Sequence, residues 1–195
     1  AVTAKKVSLE ITVPATVAIG NNLNGYPQDI TSDGVRISIG DLAHSKTAIA
    51  EVSMPVDFDA DNMDIEVSCA YEDVNSECRK ALSQKVSLKI VDAKEFETSA
   101  ADKDLGRRVG EILSADAILR ASIAYEGGGI RKAVRALQDA SAQISSSDWI
   151  SDPDKASATS KLDRLRARIS SHSVSRGDTK VLASMAYGTT RSRKP

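Results

Sequence analysis

The chain has 195 residues, 41% of them hydrophobic but only 4% aromatic, with a formal net charge of −1. That content supports a core of Val, Ile, Leu and Ala and excludes a disordered chain, and no apolar run approaches the roughly 18 residues of a membrane span. The small net charge hides a split: residues 1–100 hold 9 Lys and Arg against 16 Asp and Glu, a net of −7, whereas residues 101–195 hold 17 against 11, a net of +6.

Two modules of opposite charge are the plain reading of this split. The sharper one is a basic half that binds nucleic acid or an acidic partner. The basic half has interspersed acids and lacks the cation density and stacking aromatics of nucleic-acid surfaces, which weighs against nucleic acid. A start at Ala1 without Met or signal peptide reads as a fragment of a longer or processed protein. Nothing gives a cellular address; the cytoplasm is the default.

Val7, Leu9, Ile11 and Val13 alternate with Ser8, Glu10 and Thr12, a half-buried strand that Pro14 ends. Gly20-Asn21-Asn22 and Asn24-Gly25 read as loop punctuation. Asp33-Gly34, between Ile30 and the run Val35, Ile37, Ile39, predicts a tight hairpin turn, because Asp-Gly supplies positive φ cheaply. Gly40-Asp41-Leu42 closes that strand. A long strand is expected next, with Ala48, Ala50, Val52, Met54 and Val56 on one face. Ile65, Val67, Cys69 and Tyr71 form a further strand, and Val86, Leu88 and Ile90 the last. Six or seven strands with one apolar face each, and no helical period between them, argue for an antiparallel β-sandwich.

Asp57, Asp59, Asp61 and Asp64 fall between two strands. An EF-hand loop would need Gly and Glu where Asn62 and Ser68 stand, so the cluster reads as a solvated acidic turn and no metal is implied. Cys69 and Cys78 are the only cysteines. If Asp73-Val74 formed the loop of a hairpin, they would sit opposite each other within disulfide reach; a longer loop shifts that register. Otherwise they are reduced and pack as small hydrophobes. There is no CxxC or His/Cys cluster, so zinc is unsupported.

From Ser99 to about Ser145 the apolar period becomes helical. Ser99-Ala-Ala-Asp102 can act as a capping box, and the helix meets no firm breaker before Gly127-Gly128-Gly129, although Gly106 and Gly110 weaken its first turns. The triple glycine, followed by Arg131 and Lys132, lacks the P-loop pattern and a preceding strand, so it reads as a helix–turn–helix reversal. Ile130, Val134, Leu137, Ser141 and Ile144 stripe the second helix. Trp149 and Ile150 sit in a loop and cap the seam. Ser151-Asp152-Pro153-Asp154 is a strong start signal. Ala158, Leu162, Leu165 and Ile169 stripe the third helix. A short fourth helix is expected from Thr179 to Tyr187, stopped by Gly188, before a basic tail of Arg191, Arg193 and Lys194. Narrow stripes of this kind cover one another in an antiparallel hairpin or small bundle.

Catalysis has little to build on. His44 falls in a turn and His172 at a helix end, neither beside a Ser, Cys or carboxylate at a recognisable spacing, and GxSxG and HExxH are absent. A candidate interaction face is basic: Arg131, Lys132 and Arg135 on the second helix, Arg164, Arg166 and Arg168 on the third. Were it a polyanion site, affinity would fall steeply with salt.

The run Val7 to Pro14, then Tyr26-Pro27, then Ile37-Ser-Ile39-Gly-Asp-Leu42, then Val52-Ser-Met54-Pro55 and Tyr71-Glu-Asp73, resembles the β segment that follows the von Willebrand factor type A domain in many bacterial and plant proteins. The helices from Asp104 to Ile144, and the last helix with Tyr187 and Arg191, resemble that family's helical continuation. The DxSxS metal motif of the type A domain does not occur, so no functional residue carries over. The resemblance implies a non-catalytic region that supports or presents a protein-binding domain, its partner being an upstream domain of the same protein or another protein. The expected fold is α+β: an N-terminal antiparallel β-sandwich over about 1–97, then a helical domain over about 98–195 with helices near 99–126, 129–146, 153–171 and 178–187. No cofactor is implied.

Overall fold

The computed structural model describes residues 2–43, 45–55, 61–92, 94–95 and 102–190. Seven strands precede four helices: β1 Ala4–Thr12, β2 Ala18–Asn22, β3 Gln28–Ile30, β4 Gly34–Leu42, β5 Ala50–Ser53, β6 Asn62–Asp73 and β7 Arg79–Lys89, then α1 Lys103–Glu126, α2 Ile130–Ser145, α3 Asp152–Ser170 and α4 Arg176–Thr190. The chain is α+β with an antiparallel sheet, and it divides into two compact units, Ala1–Ser99 and Ala100–Pro195.

In the first unit the strands are shared unequally: five form one sheet in the order β3-β4-β1-β6-β7, and β2 and β5 form a ribbon of their own. The central strand is β1, whose alternation sets Leu9 opposite Ile37 and Cys69, and Ile11 opposite Val35 and Val67. Directly paired residues share a face of the sheet. These rows therefore make one apolar face. The ribbon covers part of it: Ile19 and Ala50 pack on the cluster of Val35, Ile37 and Tyr26, while Val52 and Ile19 pack with Val13, Val17 and Met63. Ile37 is wholly buried and Val35 nearly so.

Two strand expectations need correction. Residues 18–22 form β2 instead of a loop, because the Asn22 amide carries the turn itself: its Oδ1 accepts from the Tyr26 N–H at 2.8 Å and its Nδ2 donates to the Tyr26 carbonyl at 2.8 Å. The long strand expected to end near Val56 is only the four residues of β5; Val56, with His44, Asp57, Asp59 and Ser99, lies outside the described residues.

The helical unit has one core, built from Ala117 and Ala121 of α1, Leu137 and Ile144 of α2, Ile150 of the loop that follows, Leu162, Leu165 and Ile169 of α3, and Val174. The cap of α1 is Asp102, whose carboxylate accepts from the Leu105 N–H at 3.0 Å. Its other end is a Schellman turn: Gly129 N–H bonds the Ala124 carbonyl, Gly128 N–H bonds that of Tyr125, and Gly128 holds φ +78°. The triple glycine is thus a helix-to-helix turn. The cap of α3 is Ser151, bonded through Oγ to the Asp154 carboxylate at 2.6 Å. Trp149 and Ile150 part company: Ile150 is buried and Trp149 stands out to solvent. Gly188 does not stop α4. Thr179, Ala186 and Thr190 form a buried stripe on the face that packs with α1, and that packing outweighs the glycine's helix penalty of about 1 kcal/mol.

Candidate functional site

The basic residues do not make one surface. Arg131, Lys132 and Arg135 all lie away from the buried stripe of α2 and are exposed. On α3, Arg164 and Arg168 share a flank. Arg166, two residues from each at about 100° per residue, falls on the opposite flank. Half of the six are engaged by acids: Arg135 with Asp139 at 3.7 Å, Arg166 with Asp163 at 3.2 Å and Arg168 with Asp178 at 3.2 Å. Asp178 is also held by the Ser175 N–H and hydroxyl in a capping box at the start of α4; these bonds and Arg168 keep its carboxyl below its ordinary pKa.

His172 terminates α3. It holds φ +55°, its N–H bonds the Ile169 carbonyl, and the next residue's N–H reaches the Arg168 carbonyl. This is a second Schellman turn, with His in the place glycine usually fills.

Both cysteines are free. The β6–β7 register pairs Cys69 with Leu82, so Cys78 sits four residues nearer the turn, about 13 Å along the strand. The two-residue loop that would have set them opposite does not form, because Asp73 builds a wider turn. Its carboxylate accepts from the N–H groups of Asn75 at 2.8 Å and Ser76 at 3.1 Å, its N–H bonds the Cys78 carbonyl, and Glu77 takes φ +53°. The Lys80 ammonium, with those two N–H groups, pulls the Asp73 carboxyl down to about 2. Burial raises the Cys69 thiol above its ordinary value, which lowers its thiolate fraction. Among the described residues no group of three His, Cys, Asp or Glu converges to hold a metal ion, and no helix is long and apolar enough to cross a membrane.

The feature that stands out is the ribbon of β6 and β7. The two strands pair one to one from Asn62↔Lys89 to Glu72↔Arg79 without a bulge. All eleven residues of β7 are exposed. The row Leu82, Cys69, Leu9, Ile37 crosses four strands of the apolar face. Along it, exposure runs from 64% at Leu82 to 0% at Ile37. Val86, opposite Ile65, and Leu88, opposite Met63, extend the uncovered part, being 38% and 42% exposed. The β2–β5 ribbon covers the face over β4 and β1 and leaves it bare over β7. The strand also carries Arg79, Lys80, Lys85 and Lys89 and no acid. Lys80 pairs with Asp73, and Lys89 with Glu95 at 2.6 Å. Among the described residues Arg79 and Lys85 have no ion pair; Glu72, opposite Arg79, pairs with Lys6 instead. On the polar face, Ser8, Glu10, Arg36, Ser68, Ala70 and Arg79 line a concavity of about 150 Å³, with Glu10 and Arg36 paired across it at 3.3 Å. Sequence reasoning located the apolar alternation of Val86 and Leu88. It missed Leu82 and the one-sided charge of the strand, both of which the sequence displays.

No family model matches the chain, and no curated protein does. Solved structures do. One is the crystal structure of the ArnB paralog VWA2 from Sulfolobus acidocaldarius, with 15% identity and a TM-score of 0.50 over 98% of this chain and 43% of that one. Another is a von Willebrand factor type A protein from Catenulispora acidiphila, with 15% identity and a TM-score of 0.55 over 93% of this chain and 45% of that one. The chain spans less than half the length of each. At this identity the likeness is one of fold, and it falls on proteins of the family that the sequence motifs resemble.

Proposed function

We propose that this chain is a non-catalytic docking and support module, which accompanies a von Willebrand factor type A domain and presents or braces it for partner binding. The observation that carries the reading is the half-covered sheet: an apolar face continuous from buried Ile37 to exposed Leu82 calls for another polypeptide over β7. Full burial of such a side chain from full exposure is worth about 1.5–3 kcal/mol, and Leu82, at 64% exposure, has most of that still to gain. Three further facts support a non-catalytic role. The backbone of His172 ends a helix, the Cys69 thiol is made less reactive by burial, and several acids of the helical unit, Asp139, Asp163 and Asp178 among them, pair with its arginines. A polyanion site on the helical half has weaker support, since its six cations are split between flanks and half are engaged.

The test begins with the coding sequence upstream of Ala1, where a type A domain with DxSxS is expected. Amide exchange of β7 is then compared in this chain alone and with that domain present. Slower exchange confined to the β6–β7 ribbon supports the reading. An unrelated upstream sequence, with β7 amides exchanging equally in both samples, overturns it.

A further inference from the structure

The edge of β7 has a chemistry of its own. Among the described residues this strand hydrogen-bonds to β6 on one side only, so its other edge presents a row of N–H and C=O groups. Sheet edges are usually blunted by shortness, by proline, by bulges, by a covering segment or by charged side chains, lysine above all. At eleven residues, without proline and in unbroken register, β7 has none of the first three, and its residues are exposed, so that no described segment of its own unit covers it. What it has is positive charge.

That charge decides between occupants. A second copy is disfavoured. The antiparallel self-pairing that would set Leu82 against Val86 of the copy also sets Arg79 against Lys89, and like charges directly opposite are destabilising. An acidic strand meets the opposite situation. Even-numbered residues of β7 lie on the apolar face and odd-numbered ones on the polar face, so Leu82, Val86 and Leu88 point one way and Arg79 and Lys85 the other.

We propose, resting on the docking reading above, that β7 receives an extended strand of another polypeptide whose residues alternate apolar and acidic. The apolar ones extend the sheet's core face over Leu82, Val86 and Leu88, and the acidic ones meet Arg79 and Lys85. Main-chain hydrogen bonds to the open edge supply affinity; the alternation supplies register and selectivity.

The probes are three blocked peptides of about ten residues: Val alternating with Glu, Val alternating with Lys, and the Val/Glu composition without alternation. Each is titrated into the full chain by calorimetry, with amide exchange read by NMR. The alternating Val/Glu peptide is expected to bind, to slow exchange in β7 and to lose about tenfold in affinity between low and high salt. The other two are expected not to bind. The double variant Arg79→Glu, Lys85→Glu, at side chains that are exposed and have no ion pair among the described residues, is expected to keep its fold and to exchange its preference for the Val/Lys peptide. Absence of Val/Glu binding, equal binding of the Val/Lys peptide, or self-association of the chain through β7 overturns the proposal. Should Leu82→Ser weaken association with the type A domain while no peptide binds, strand addition fails and the docking reading stands.

Discussion

At the scale of single residues, two glycines of α1 look alike in sequence and act oppositely in space. Both sit in a helix interior, where glycine costs about 1 kcal/mol relative to alanine. A Cβ on Gly106 would lie 2.5 Å from the Trp149 carbonyl oxygen, a backbone atom held by the buried Ile150 beside it. A Cβ on Gly110 would meet only the methyls of Ile150, at 3.7 and 3.8 Å, which is ordinary contact. Gly106→Ala is therefore expected to destabilise the helical unit by about 1–3 kcal/mol through overpacking. Gly110→Ala is expected to stabilise it by up to about 1 kcal/mol. Thermal or denaturant unfolding followed by circular dichroism checks both. Equal and same-signed effects would mean that the loop at Trp149 moves freely. The glycines were visible in the sequence; the carbonyl that makes one of them obligatory was not, because it comes from more than forty residues away.

At the scale of elements, the turn of the β6–β7 ribbon is built around one side chain. Asp73 caps the turn through two backbone N–H groups and through Lys80, and its carboxyl is drawn to about 2 from an ordinary value near 4. A carboxyl whose folded pKa is depressed contributes stability that is present above its unfolded pKa and is lost as pH falls through the folded one. The turn is expected to hold through pH 4 and to loosen only as pH approaches 2. An NMR titration of the Asn75 and Ser76 amides checks this, with a midpoint near 4 as the contrary result. The same element shows how far local reading reaches. Alternation identifies β6 and β7 as strands, but the Asx-type turn, with Glu77 in the left-handed region, adds residues that a two-residue hairpin lacks and carries Cys78 away from Cys69.

At the scale of the whole molecule, the order of strands followed by helices was legible from the change of period after residue 99, since periods of 2 and 3.6 follow from local backbone geometry alone. The core of the helical unit is drawn wholly from its own residues. Residues 100–195 expressed alone are therefore expected to keep their helical far-UV signal and melt cooperatively, and loss of helicity in that fragment would show that the first unit is required. What the sequence determined by itself was whatever depends on neighbours within a turn or two: strand alternation, the stripes of α2 and α3, the cap at Ser151 and the glycine turn at 127–129. Only the tertiary structure decided how strands are shared between the five-stranded sheet and the β2–β5 ribbon, which basic side chains share a surface, and which apolar row is left bare. Those outcomes depend on pairing between residues far apart in the chain: Leu82 and Ile37 share one row of the apolar face, and the layer laid over Ile37 makes one core while the other is left as surface.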